Sequence, residues 1–269
     1  MATARLAPGV TLVTVPGRGL AVRTPDGTFL RVNTGQVDAG ALVGHLTTGG
    51  PAADPRLAAL TEAFAAAGHL ARRTPAPLDG RTVFLLGDTA LTGPLARYAR
   101  DAGATVHHRA ALPGVAPADA ARTAVVWCLD RPAPPAAWQE ADRLPARGTA
   151  WLRCHREGHH VWLEPLACAA GDVTSAHVRL RRLAATPAHR ELAAYWDGHR
   201  TPDTGPAHTE ASAAYTAALL TGDLLAWAGG APRPVRRRLR RLDLRDLRVT
   251  EHPVLPVPEV APLPAGGAR

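Results

Sequence analysis

The sequence predicts an α/β protein built from two unequal units, and three observations carry that expectation. Short β-prone runs separated by glycine and proline turns open the chain and give way to two helix-patterned segments. A continuous apolar run, Thr82–Leu86, then passes through a glycine-bearing turn into a helical stretch and a second apolar run, the order of a β-α-β crossover. Further apolar strands alternating with helical stretches follow as far as His252, which is how a layered sheet with covering helices reads in sequence.

In the first unit, Val10–Val15, Leu20–Arg23 and Thr28–Val32 are the expected strands. Pro16-Gly17-Arg18-Gly19 and Pro25-Asp26-Gly27 separate them, and both are residue sets that favour reversals. Apolar residues at helical spacing run through Val37–Leu46, Gly49-Gly50-Pro51 interrupts them, and Pro55–Gly68 resumes with Leu57, Leu60, Ala63 and Phe64 on one stripe. Three strands followed by helices suit a winged-helix-like module over residues 1–73. A short proline-bearing linker, 74–79, leads to a larger domain, 80–264, with 265–269 as a tail.

The second unit opens as a Rossmann-like sheet. Gly87-Asp-Thr-Ala-Leu-Thr-Gly93 is expected as the turn after the first strand, with Pro94 in the first turn of a helix over Leu95–Asp101, Gly103 ending it and Ala104–Val106 beginning the next strand. In such sheets this turn is where a phosphate normally binds. Here Thr89 stands where the second glycine of G-x-G-x-x-G belongs, Thr92 takes the third position, and Gly93 comes one residue late. The carboxylate expected to hold a ribose is replaced by His107, His108 and Arg109. The reading is a nucleotide-binding architecture kept for its shape, with a degenerate loop at Gly87, Thr89 and Gly93 and no cofactor.

Pro113–Arg122 is expected as helix or loop, Thr123–Leu129 as a third buried strand ended by Asp130, and Pro134–Leu144 as a helix. Ala150–Arg153 and His160–Leu163 are expected to pair as a hairpin around Arg156-Glu157-Gly158. Pro187–Trp196 and Glu210–Trp227 read as helices, and Leu239–Leu244 with Leu247–His252 as a last hairpin before the proline-rich Pro253–Pro264.

Composition narrows the chemistry. The apolar fraction of 46% suffices for a core, and no uninterrupted apolar run approaches the roughly 20 residues of a membrane helix, so a cytoplasmic protein is expected. The formal net charge is +8, yet all 31 basic residues are arginine, and that uniform bias weakens any argument for a nucleic-acid partner. Cys128, Cys154 and Cys168 are odd in number and never spaced C-x-x-C, which favours buried free thiols. His155, His159 and His160 lie close in sequence, but strand alternation separates the last two and no acidic stretch completes a metal set. Neither serine, Ser175 or Ser212, sits in a nucleophile elbow.

The run RLAPGVTLVTVPGRGLAVRTPDGTFLRVNTG with the helix pair ending FAAAGHL resembles the PqqD-like precursor-peptide recognition element of ribosomal peptide maturation proteins. The resemblance implies that a leader peptide adds as an extra strand along Thr28, Phe29, Leu30, Arg31 and Val32. The groove walls it implies are Leu57, Leu60, Thr61 and Phe64. The phrases GTAWLRCHREGHHVWLEPL, RRLAATPAHRELAAYW and LDLRDLRVTEHPVLPVPE resemble the ThiF/MoeB-like domain of ocin-ThiF and cyclodehydratase-partner proteins in thiazole/oxazole-modified peptide pathways. Members of that family commonly hold a zinc with two C-x-x-C pairs. Here those positions read Ser175-Ala176-His177-Val178 and Glu259-Val260-Ala261-Pro262, so no metal is expected.

The resemblance implies a non-catalytic partner protein that captures a precursor leader and presents it to a YcaO-type enzyme, with a homodimer formed through the ThiF-like domain. Two other readings stand beside it. One is an adenylating enzyme using Gly87, Asp88 and Asp130; the other is a winged-helix DNA-binding regulator, disfavoured because the last N-terminal helix carries Glu62 and few basic residues. The arginine-rich stretch Pro232–Arg248 is left as a solvated face or a partner surface.

Overall fold

The computed structural model describes residues 5–49, 52, 54–71, 75–133, 138–202, 205 and 207–258. It divides into two compact units, Met1–Pro75 and Ala76–Arg269.

In the first unit β1 (Thr11–Val15), β2 (Gly19–Arg23) and β3 (Phe29–Val32) form an antiparallel sheet in that order. The second reversal is held by Asp26, whose carboxylate accepts from the Thr28 amide and hydroxyl and from the Thr24 hydroxyl. Two helices follow, α1 (Ala39–Thr48) and α2 (Pro55–Ala66). Asp38 caps α1 by accepting from the Ala41 amide, and Asp54 caps α2 by accepting from the Arg56 amide, with Pro55 in the first position where its missing donor costs nothing. Leu20 and Val22 of β2 meet Leu42, Leu46 and Phe64 of the helices in one core.

The second unit is a mixed seven-stranded sheet. It comprises β4 (Thr82–Gly87), β5 (Thr105–His108), β6 (Thr123–Leu129), β7 (Ala150–Glu157), β8 (His160–Leu163), β9 (Arg238–Asp243) and β10 (Val249–Pro253). The spatial order is β10-β9-β8-β7-β6-β4-β5, parallel from β5 to β7 and antiparallel from β7 to β10. Among the described residues this unit also holds four α-helices: α3 (Thr89–Asp101), α4 (Ser175–Ala184), α5 (His189–Trp196) and α6 (Glu210–Ala228). Val83, Leu85, Val126 and Leu152 pack with α3 and α6 on one face, while Leu86, Val125 and Trp151 pack with Trp138 and Leu144 on the other. β6 lies between two parallel neighbours with only Trp127 partly exposed, which is why its sequence is apolar throughout.

Several expectations need correction. The stretch Gly87–Gly93 is not a free turn, because α3 starts at Thr89 and Pro94 lies inside it. The helix can start that early because Asp88, its cap residue, is already fixed: its amide donates to the Cys128 carbonyl and its carboxylate accepts from the Asp130 amide. Within Pro113–Arg122 only Ala120–Arg122 is helical, as one 3-10 turn. The helix expected over Pro134–Leu144 lies partly outside the described residues, and the remainder holds only 3-10 turns, Ala141–Arg143 and Pro145–Arg147. β7 runs on to Glu157, four residues beyond expectation. The residue pattern also did not point to α4, whose arginines and histidine obscure its apolar positions.

Candidate functional site

β3 ends its sheet, and no strand pairs with its outer edge among the described residues. Thr24 donates its amide to the Thr28 carbonyl, so the paired ladder positions continue at Val22–Leu30 and Leu20–Val32. The alternation leaves the amides and carbonyls of Phe29 and Arg31 directed at the open edge. Phe29 is 60% and Leu30 45% exposed, which is unusual for large apolar side chains in a strand. Leu30 and Val32 share the face of Leu20 and Val22, toward the helices. Leu57 and Leu60 are half-buried against the core, and the Thr61 hydroxyl donates to the Leu57 carbonyl at 2.8 Å. Phe64 lies within the core, its ring edge-on to His69 at 5.8 Å between centroids.

The carboxyl ends of β4 and β6 form the place where this kind of sheet would hold a nucleotide. Gly87 has φ +98°, and a Cβ there would stand 1.9 Å from the Cys128 carbonyl oxygen. The glycine is therefore demanded by strand packing alone. Gly93 is helical with open space around its Cα, and Thr89 is exposed in the first helical turn. Asp130 is held by Arg156, Nε to Oδ1 at 2.6 Å and Nη2 to the main-chain carbonyl at 2.9 Å. Asp88 accepts from the Asp130 amide at 2.7 Å and faces Arg131 at 3.5 Å. At the end of β5, His107 stacks on Phe84 at 5.4 Å and the Arg109 guanidinium lies over the same ring. His208 is buried beside Asp130 at 3.7 Å and meets the Ser212 hydroxyl at 3.0 Å. Burial lowers its pKa, with Asp130 opposing that shift and Arg156 reinforcing it.

A third cluster was not foreseen. Glu157 at the end of β7 accepts from Arg182 through both oxygens, from Trp196 Nε1 at 2.7 Å, and meets His155 Nε2 at 3.0 Å. Burial disfavours its charge, but the bonds from His155 and Arg182 prevail and hold its pKa well below the usual carboxylate range. Arg182 lies over the rings of Trp162 and Trp196. Nearby, Arg153 and Glu164 pair at 2.6 Å with both side chains buried, and burial raises the Glu164 pKa against the pull of Arg153. The signal available in sequence was Arg153, His155, Arg156 and Glu157 in a strand that opens with Ala150, Trp151 and Leu152.

The Ser212 hydroxyl beside His208 is buried and donates to the Thr209 carbonyl at 3.0 Å. Cys154 and burial push the Cys128 thiol well above its ordinary value. At the first position where the resemblance would put a zinc pair, Ser175 donates its amide and hydroxyl to Asp142, and His177 closes a capping box with Thr174 at the start of α4. The second, Glu259–Pro262, lies outside the described residues. Among the described residues, no helix is long and apolar enough to cross a membrane.

No protein-family model matches the chain, and no curated protein does. Solved structures do match it. A heterocyclase in complex with substrate and cofactor superimposes with a TM-score of 0.66 at 13% identity, over 94% of this chain and 38% of that one. A chain of the E. coli microcin synthetase McbBCD complex with pro-MccB17 bound matches with a TM-score of 0.52 at 12% identity, over 95% of this chain and 98% of the other. E. coli MccB with ATP matches with a TM-score of 0.51 at 8% identity, over 95% and 97%. The shared feature is the fold. The chain spans about two fifths of the heterocyclase.

Proposed function

We propose that this protein is a non-catalytic, cytoplasmic partner of a cyclodehydratase that forms azolines in ribosomally made peptides. Residues 1–73 act as a PqqD-like winged-helix recognition element, and 80–264 as a ThiF/MoeB-type domain that presents the bound precursor to a YcaO-type enzyme. The leader pairs with Phe29 and Arg31 along β3, placing side chains against Leu30, Leu57, Leu60 and Thr61, with Phe64 supporting them from the core. The observation that carries the reading is the open β3 edge with its two exposed apolar side chains. The likeness to a heterocyclase and to a chain of a microcin synthetase, both solved with substrate or precursor present, supports it. Holding the leader raises the effective concentration of the attached core peptide at the partner's active site.

The likeness to MccB with ATP favours a second reading, an adenylating enzyme. Against it stand Asp88 and Asp130, whose carboxylates are already engaged within the protein.

The test is binding of a fluorescently labelled leader, from a precursor encoded beside this protein, to the full chain and to Arg31→Pro. Proline at 31 removes an outward donor while leaving the Val22–Leu30 and Leu20–Val32 ladder positions in place. Binding lost in the variant supports the reading. Equal binding by both proteins, or ATP binding with none of the leader, contradicts it.

A further inference from the structure

The fold sorts the arginines of Pro232–Arg248 into two groups. Arg238 and Arg240 share the buried Asp223, Arg236 faces Asp172 at 3.2 Å, and Arg245 binds Asp243 at 2.6 Å. Arg233, Arg237, Arg241 and Arg248 are different, since none of these side chains has an ion pair or hydrogen bond among the described residues, and of them Arg233 and Arg237 line one surface. These two stand on the boundary between two depressions. The first, about 180 Å³, is polar and walled by Gly171, Asp172 and Arg236. The second, about 440 Å³, is walled by Pro234, Pro253 and Leu255, and Leu255 is 49% exposed.

We propose that this groove docks an acidic peptide segment of a protein partner, its carboxylates on Arg233 and Arg237 and a neighbouring apolar side chain in the Pro234–Pro253–Leu255 depression. Charge complementarity selects the occupant. Arg236, Arg238, Arg240 and Arg245 each have a carboxylate from their own chain, and a guanidinium fork matches a carboxylate through two parallel bonds. The apolar depression requires a side chain of a kind that a free anion or a phosphodiester backbone does not carry. The surface belongs to the second unit and is independent of the β3 edge.

The experiment uses the full chain and a labelled peptide of alternating glutamate and leucine, read by fluorescence anisotropy at low salt. The double variant Arg233→Glu/Arg237→Glu is expected to weaken binding about tenfold or more, while Arg190→Glu on the exposed face of α5 leaves it unchanged. Leu255→Ser carries the same test without altering charge, weakening the glutamate–leucine peptide and sparing a glutamate–serine one. Unchanged affinity in both the double variant and Leu255→Ser overturns the proposal. So does tighter binding of duplex DNA of matched charge that depends on the same two arginines.

Discussion

The guanidinium of Arg156 clasps Asp130 at the end of β6, reaching one carboxylate oxygen at 2.6 Å and the main-chain carbonyl at 2.9 Å. That pairing ties Asp130 to an Arg156 side chain only 6% exposed. Asp130→Ala removes the carboxylate facing a buried cation, so it is expected to cost about 2–4 kcal/mol in urea unfolding without changing leader affinity. A residue kept for magnesium would behave differently, leaving stability intact and abolishing an ATP-dependent rise in melting temperature.

Gly87 and Gly93 are expected to respond oppositely to alanine. At Gly87 the added carbon would run into the Cys128 carbonyl on a backbone with φ +98°, so Gly87→Ala is predicted to cost about 3 kcal/mol or more. At Gly93 the helix has space, and Gly93→Ala is predicted to stabilise by about 0.5–1 kcal/mol. Thermal unfolding of the two variants separates a packing glycine from a phosphate loop, in which both would bear on ligand binding.

Glu157 makes stability depend on pH with a definite sign. Its folded pKa lies below the unfolded one, so its contribution is fully present above the unfolded carboxylate range, near pH 4–5, and is lost as pH falls toward the folded value. Glu157→Gln should therefore destabilise the protein at neutral pH and flatten the acid limb of a stability–pH profile measured by urea unfolding.

Phe29 and Phe64 test the proposed recognition module from its two sides. Phe29→Ser touches an exposed ring and should alter stability by no more than about 0.5 kcal/mol while weakening leader binding several-fold. Phe64→Ala empties a core position and should cost about 3–5 kcal/mol.

The buried strands and the longer helices were the legible part of the fold, the expected Glu210–Trp227 helix appearing as Glu210–Ala228. Thr123–Leu129 emerged with its predicted bounds because burial on both faces leaves no choice of residue type. The start of α3 was not legible, because what allows it is Asp88 reaching the Cys128 carbonyl and the Asp130 amide, some 40 residues away in sequence. The cluster around Glu157 was hidden for the same reason, since its partners Arg182 and Trp196 come from α4 and α5. At the candidate site, sequence pattern identified β3 as a strand, but that Phe29 and Leu30 stand exposed on a sheet edge is a property of strand order.

The most direct test of the account is amide hydrogen exchange on the full chain with and without the leader peptide. Strand addition predicts that protection rises about tenfold or more at Phe29 and Arg31, the edge-facing amides, with Leu30 and Val32, already in the ladder, changing less. Unaltered exchange at Phe29 and Arg31 under saturating leader, or protection confined to residues 80–264, would contradict it.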